Sequence, residues 1–219
     1  MDASLTKKLS EVEWGEYKLE DLFDSYNGNT DIKKSHINNK GNYVITSGTS
    51  NNGILGKSDV NAKLFDSNTI TVDMFGNVFY RNFKYKMVTH ARVFNLVPKF
   101  EITERQGNFL ACSLHFLKNL FGFENMCSWT KIKDINILLP QREQFIDFDF
   151  MESFIGKLEA ERIKELEAER IKELEAYLKV TGLSNYELTN KEVEILDTFH
   201  RMSDNLTDRQ TDRQTDRQE

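Results

Sequence analysis

The 219-residue sequence predicts an α+β protein, in which a mixed α/β globular domain precedes a long, coiled-coil-like helix and a short C-terminal helix. Three observations support this fold class. Short segments with alternating apolar residues dominate residues 1–140, where two-residue periodicity indicates strands. Residues 141–180 contain no proline, which favours one continuous helix. Within that helix the eight residues LEAERIKE occur twice in tandem from Leu158, and a third copy breaks off at Tyr177.

The globular domain opens with WGEYKLEDLFD, in which Leu19, Leu22 and Phe23 have helical spacing. NYVITSG predicts a short strand that ends at a glycine. NTITVDMFGNVFYRNFKYKMV predicts a hairpin: its first strand alternates through Val72, the segment Phe75-Gly76-Asn77 forms the turn, and its second strand alternates through residues 83–87.

The remaining elements of the domain follow in order. ARVFNLV predicts a strand closed by Pro98, and RQGNFLACSLHFLKNLFGF has apolar residues at helical spacing. KIKDINILLP predicts a last strand before Pro140. We therefore expect the domain to cover residues 1–140, the long helix 141–180, the short helix 181–204 and a disordered TDRQ-repeat tail 205–219.

The repeat does not suit a continuous coiled-coil seam. Eight residues exceed two helical turns by about 80°, so successive copies of the leucine do not lie on one stripe. Thr181-Gly182 is expected to end the helix, and Thr189 with Glu192 predicts a capping box that starts the short helix.

The net charge of −6 conceals an uneven distribution. From Tyr26 to Phe100 there are ten basic and four acidic residues, whereas Gln141 to Val180 has seven basic and eleven acidic residues. A basic body followed by an acidic helix indicates a surface suited to the phosphates of nucleic acid.

Other function classes leave no recognisable trace in the sequence. No apolar run is long enough to span a membrane and no signal peptide is evident, so a cytoplasmic protein without a membrane partner is expected. Cys112 and Cys127 lack metal-ligand spacing. We find no glycine-rich cofactor loop, P-loop, zinc spacing, or Asn/Asp-Pro-Pro-aromatic tetrad, and His90 is expected to have a structural rather than a catalytic role. Asp147 and Asp149 lie two residues apart on a predicted helix, so they are expected to be solvated or to cap it rather than to share a metal.

Several segments in this order resemble the specificity subunits of type I restriction-modification systems and the related type IIB recognition subunits. They are WGEYKLEDLFD, ITSGTSNNGILG, ITVDMFGNVFYR, THARVFNLVP and IKDINILLPQREQ, followed by the charged helix. The resemblance covers roughly residues 14–180, and its most specific parts are SNNGILG and INILLPQREQ before that helix.

The resemblance implies a non-catalytic subunit whose target recognition domain reads one half of a split duplex DNA site. It implies methyltransferase subunits as partners, which would bind S-adenosylmethionine while this chain binds no cofactor, and a restriction or translocase subunit as a further partner. One recognition domain and one long helix imply a half-length subunit that works as a homodimer; a truncated product of a longer gene is the alternative. Each LEAERIKE copy would then lengthen a spacer by about 12 Å.

Candidate DNA-binding residues come from the basic segment. Arg81, Asn82, Asn51 and Asn52 are candidate base readers because arginine and asparagine pair bidentately with base edges, although the two loop asparagines could instead only form the turn. Lys84 and Lys86 are expected on one cationic strand face, and the other candidate phosphate contacts are Lys33, Lys34, Lys57 and Arg92.

The apolar residues of the long helix are expected to contact a second copy, the short helix or the methyltransferase. They are Phe154, Leu158, Ile163, Leu166, Ile171, Leu174 and Leu178. An interaction protein that oligomerises through this helix, and binds protein or RNA instead of specific DNA, is the alternative function.

Overall fold

Ten short strands in three sheets form the framework of a computed structural model that describes residues 3–183, 188, 190–199 and 201. The strands are β1 (Glu13–Lys18), β2 (Phe23–Asn27), β3 (Asn42–Ile45), β4 (Ile54–Ser58), β5 (Thr69–Val72), β6 (Val78–Arg81), β7 (Tyr85–Met87), β8 (Phe94–Pro98), β9 (Asn136–Arg142) and β10 (Phe145–Ile146). The helices are α1 (Ala3–Glu11), α2 (Leu19–Leu22), α3 (Glu104–Ser113), α4 (Trp129–Ile132) and α5 (Phe148–Thr181). The predicted α+β class is confirmed.

The sheets have the orders β1-β9-β10, β2-β8-β5-β6 and β4-β3-β7. All pairs are antiparallel except β3 with β7, which run parallel. By its internal contacts the chain divides into two units, residues 1–162 and 163–219.

The first unit contains two apolar cores. The larger one joins β5, β8 and β9 to α3 and the first turns of α5, and it includes Ile70, Leu96, Leu110, Leu139 and Met151. The smaller one lies around β3 and β7 and includes Val44, Tyr85 and Met87. Burial of these side chains supplies the main stabilisation, roughly 1.5–3 kcal/mol for each large one.

The opening segment is mostly strand, which corrects the helical prediction. Only Leu19–Leu22 is helical, and residues before and after it belong to β1 and β2. Leu19 and Leu22, which were identified by their helical spacing, are buried in the core. The strands form because β1 finds a partner far along the chain, β9, in a register that sets Trp14 opposite Pro140.

The predicted hairpin exists, but its second strand was placed too late. β5 pairs with β6, so that Val72 lies opposite Val78. The Asp73 carboxylate tightens the turn by accepting hydrogen bonds from the backbone N–H groups of Phe75 and Asn77, and Gly76 adopts a φ of +75°. β7 leaves this sheet and pairs with β3.

α5 begins at Phe148, later than the predicted Gln141, because residues up to Arg142 pair in β9. Asp147 caps the helix: its Oδ1 accepts from the backbone N–H of Phe150 at 2.9 Å, and its Oδ2 pairs with Arg142 at 2.7 Å. Of the solvated and capping roles expected for Asp147, the structure shows the capping role.

The end of α5 agrees with the sequence. Gly182 has a φ of +77° and donates to the carbonyl of Lys179, while Leu183 donates to the carbonyl of Leu178. This pair of bonds is the Schellman motif, which satisfies carbonyls at a helix end.

In the second unit, residues 190–199 form the predicted short helix. Thr189, which the sequence predicts to cap this helix, and the TDRQ tail lie outside the described residues. The domain boundaries proposed from sequence stay predictions. No helix among the residues that the structure describes is both long and apolar enough to cross a membrane.

Candidate nucleic-acid interface

The polar loop between β3 and β4 has an unusual backbone. Asn51 and Asn52 have φ values of 47° and 51°, and Gly53 continues in the same region at 72°. Left-handed conformations in residues other than glycine cost about 1–3 kcal/mol each, although asparagine tolerates them best. Both asparagine side chains are exposed. The loop residues therefore make the turn and also present two amides to solvent.

One hydrogen bond closes the base of this loop, and two others connect the loop to the β5–β6 hairpin. The backbone N–H of Thr46 donates to the carbonyl of Gly53 at 2.8 Å and closes its base. The N–H of Gly48 donates to Asp73 Oδ2 at 2.7 Å, and Arg81 Nη2 donates to the carbonyl of Asn52 at 2.7 Å. Asp73 and Arg81 belong to the β5–β6 hairpin, so the hairpin holds the loop near both ends.

Arg81 is not on the surface, which corrects its assignment as a base reader. The residue is 2% exposed, and Nε donates to Thr71 Oγ1 at 2.9 Å. Burial lowers the pKa of the guanidinium to about 10, so it remains charged at neutral pH. Its hydrogen bonds are directed to protein groups.

Lys86 is also buried, at 6% exposure, so the predicted cationic face with Lys84 does not form. The ammonium of Lys86 donates to the carbonyls of Ser58 and Val60. Lys84 is exposed, and its Nζ pairs with Asp66 at 3.1 Å. The aromatic neighbour Tyr85 lies in the core.

Three of the candidate base readers come together. Asn52, Arg81 and Asn82 line one cleft of about 320 Å³, together with Asn108 and His115 of the facing helical segment. Asn82 is exposed and donates from Nδ2 to Glu104 Oε1 at 2.9 Å. Polar amides at the rim and a buried cation in the wall give the cleft hydrogen-bonding capacity.

The candidate phosphate contacts Lys33, Lys34 and Arg92 are exposed, and Lys57 is partly exposed. Within the part of the chain that the structure describes, none of the four forms an ion pair. Lys57 Nζ instead lies 4.7 Å from the centre of the Tyr43 ring. All four flank the smaller core.

Arg92 lines a different cleft, of about 500 Å³, with Trp129 and Lys131. The structure therefore divides the candidates between two clefts and a cationic surface. His90 bonds to Asp31, in agreement with a structural role.

Sequence reasoning missed Asp73, whose carboxylate is 3% exposed and accepts four hydrogen bonds. Its position three residues before the turn glycine Gly76 was the available signal, because aspartate at the start of a turn commonly bonds to backbone N–H groups two residues on. Lys40 and Lys63 were also omitted, although both are exposed and have no ion pair among the described residues.

The helix candidates fall into two groups. Phe154 is 6% exposed and packs on Phe109 and Phe150 in the larger core, so it is not available to a partner. The others are at least 36% exposed: Leu158, Ile163, Leu166, Ile171, Leu174 and Leu178. Arg105 of α3 pairs with Glu152 and Glu159 and helps to fix the first turns of α5.

Within the described residues, no three His, Cys, Asp or Glu side chains lie close enough together to hold a metal ion. The exposed residues predicted to bind DNA are amides and cations. Such groups recognise nucleic acid by hydrogen bonds to base edges and by charge.

Two solved structures have a similar fold. The S subunit of a type I restriction-modification system from M. genitalium aligns with a TM-score of 0.51 at 17% identity, over 86% of this chain and 50% of that one. The HsdS subunit of Thermoanaerobacter tengcongensis aligns with a TM-score of 0.53 at 15% identity, over 83% and 48%. At these identities the likeness concerns the fold.

The sequence comparisons address the family. The specificity subunit S.BcgI of a type II restriction enzyme from Heyndrickxia coagulans is 24% identical over 150 residues, which are 67% of this chain and 44% of that protein. The chain thus spans less than half the length of this relative. The family model of the type I restriction modification DNA specificity domain matches residues 11–168. Because this match covers well over half of the sequence, the chain belongs to that family and is a specificity subunit with a target recognition domain.

Proposed function

We propose that this specificity subunit reads one half of a split duplex DNA site through the surface around the smaller core. The observation that carries the proposal is the set of cations without counter-ions. Of the ten basic residues between Tyr26 and Phe100, six have no ion pair among the described residues and are at least partly exposed: Lys33, Lys34, Lys40, Lys57, Lys63 and Arg92.

The carboxylates of the same segment are already engaged. Asp31 bonds to His90, Asp59 accepts from Asn38, Asp66 pairs with Lys84, and Asp73 is buried in the turn. The segment therefore presents uncompensated positive charge, which a DNA backbone would neutralise with release of counterions.

Sequence discrimination requires groups that reach base edges. Asn51, Asn52 and Asn82 are exposed amides beside this surface, and asparagine forms two hydrogen bonds to adenine in the major groove. We assign base reading to these three and phosphate contact to the lysines and Arg92.

A titration of the full chain with randomised duplex DNA, followed by sequencing of the bound fraction, tests the proposal. The wild type should enrich a defined sequence, with an affinity that falls steeply with salt. The double variant Lys33→Ala/Lys34→Ala should lower the slope of log affinity against log salt by ~1.8, about 0.9 for each lost contact.

The matched control is Lys7→Ala/Lys8→Ala, which removes an adjacent lysine pair from α1, outside the basic segment. It should leave the slope unchanged. Equal effects of the two double variants, or a bound fraction without sequence preference, would contradict the proposed interface.

We also propose that the exposed apolar residues of α5 dock methyltransferase subunits and that the assembly is a homodimer. The methyltransferase would supply S-adenosylmethionine and the methyl transfer, and a restriction or translocase subunit would add cleavage. A cytoplasmic site of action, where the DNA lies, follows from this role.

Light scattering of the chain alone, and with its methyltransferase, tests the assembly. A dimer that recruits two methyltransferase copies is expected. Replacing Leu166 and Leu174 by serine should weaken this association, whereas replacing the charged Lys164 and Lys172 by serine should not. A monomer that recruits no methyltransferase would refute the assembly while leaving DNA reading intact.

A further inference from the structure

We infer that Asp73 and Arg81 are positioning residues that set base selectivity without contacting DNA. Together they hold the loop from Thr46 to Gly53 in the conformation that presents Asn51 and Asn52. The inference rests on the proposed function, because it assigns to two buried residues the control of the proposed reading loop.

The loop conformation needs support from outside the loop. Two consecutive asparagines in the left-handed region are strained, and such strain persists only where the surroundings enforce it. Within the loop, the bond from Thr46 to Gly53 closes the base, and the N–H of Asn52 donates to the carbonyl of Thr49 at 3.1 Å. The bond from Arg81 to the carbonyl of Asn52 reaches the left-handed part from outside the loop.

The β5–β6 hairpin provides a rigid support for both contacts. Asp73 accepts from the N–H of Gly48 and, in its own turn, from the N–H groups of Phe75 and Asn77. Arg81 is fixed at Nε by Thr71 on the neighbouring strand. One end of the hairpin therefore holds the start of the loop, and the other end holds its left-handed part.

The burial of Asp73 and Arg81 indicates that they position the loop and do not contact DNA directly. Asp73 and Arg81 are 3% and 2% exposed, whereas Asn51 and Asn52 are exposed. A buried guanidinium bonded to a carbonyl and a hydroxyl has little access to a phosphate. A carboxylate would moreover repel the DNA backbone if it were exposed.

The test compares Arg81→Met with Lys84→Met, which removes the same charge from an exposed position three residues away. Sequencing of bound randomised duplexes gives the base preference, and titration at several salt concentrations gives the slope. Arg81→Met should reduce the preference at one or two base positions by about tenfold and leave the slope unchanged. Lys84→Met should keep the full preference.

A double-mutant cycle identifies the residues through which Arg81 acts. Asn51→Ala/Asn52→Ala should abolish preference at the same base positions, and adding Arg81→Met should cause no further loss. Arg81→Lys, which keeps a donor, should retain more preference than Arg81→Met. Asp73→Asn, which replaces one acceptor oxygen by a donor, should act at the same positions.

Thermal unfolding of each variant shows whether a loss of base preference comes from a loss of folding. If Arg81→Met does not fold, the base preferences of Arg81→Lys and Asp73→Asn test the positioning role instead. Unchanged preference in the folded variants would overturn the positioning role alone. A salt slope lowered by about one, with preference kept, would also overturn it, because Arg81 would then contact a phosphate. A wild-type chain without any preference would overturn both the inference and the proposed function.

Discussion

Lys86 is a residue whose environment could not be predicted from the local sequence. Alternation in FKYKM predicts that Lys84 and Lys86 share an exposed face. However, Tyr85, Lys86 and Met87 are all buried, because β7 is covered on both faces. A strand of this kind loses the alternation between core and surface that identifies an edge or half-buried strand. The ammonium of Lys86 is satisfied by two carbonyls instead of solvent.

The two cysteines give a prediction at the same scale. Burial, together with the Asp73 carboxylate, raises the pKa of Cys127 to about 12, and partial desolvation of its thiol raises the pKa of Cys112, although that residue is exposed. At pH 8 the Cys127 thiol therefore stays protonated, and only the thiolate reacts with alkylating reagents. Mass spectrometry after brief alkylation of the folded chain should find label on exposed Cys112 before Cys127.

Unfolding in denaturant provides the control, since both thiols should then react at similar rates. Raising the pH of the folded sample should accelerate labelling of Cys127 about tenfold per unit while the pH stays below its pKa. Faster labelling of Cys127 than of Cys112 at pH 8 would contradict the described burial.

At the scale of elements, the start of α5 depends on one residue. Replacing Asp147 by alanine removes the hydrogen bond to Phe150 and the partner of Arg142. The lost cap costs about 0.5–2 kcal/mol. We expect urea denaturation to show a free energy of unfolding lower by ~2 kcal/mol, since a charge-assisted bond is lost as well.

Asp149→Ala is the matched control for that change. Asp149 is exposed in the first turn of the same helix and contributes only through the helix dipole. Its loss should cost roughly 0.3–1 kcal/mol. Similar losses for the two variants would mean that Asp147 does not cap the helix.

At the scale of the whole molecule, the LEAERIKE repeat predicts that the length of α5 sets the distance between two half-sites on DNA. If α5 spaces two recognition domains in the proposed homodimer, one added LEAERIKE copy lengthens the spacer by about 12 Å. Selection from randomised duplexes should then yield half-sites that lie about three to four base pairs farther apart, at 3.4 Å per base pair. The half-site sequences themselves should not change.

A variant with one LEAERIKE copy in scrambled order keeps the length and serves as control; its half-site spacing should equal that of the wild type. Unchanged spacing after the insertion would show that α5 does not measure distance on DNA.

Local chemistry in the sequence was sufficient for the fold class, about half of the strands (β3, β5, β7, β8 and β9), the turn at Gly76, the end of α5 at Gly182 and the basic character of residues 26–100. Periodicity, turn residues and charge depend on residues that are neighbours in the sequence, so they can be recognised without knowledge of contacts between distant segments. Only the tertiary structure decided which basic residues are buried, where β7 pairs, and that Phe154 belongs to the core. These outcomes depend on contacts between distant segments, such as the bond from Arg81 to Asn52, and no local pattern encodes them.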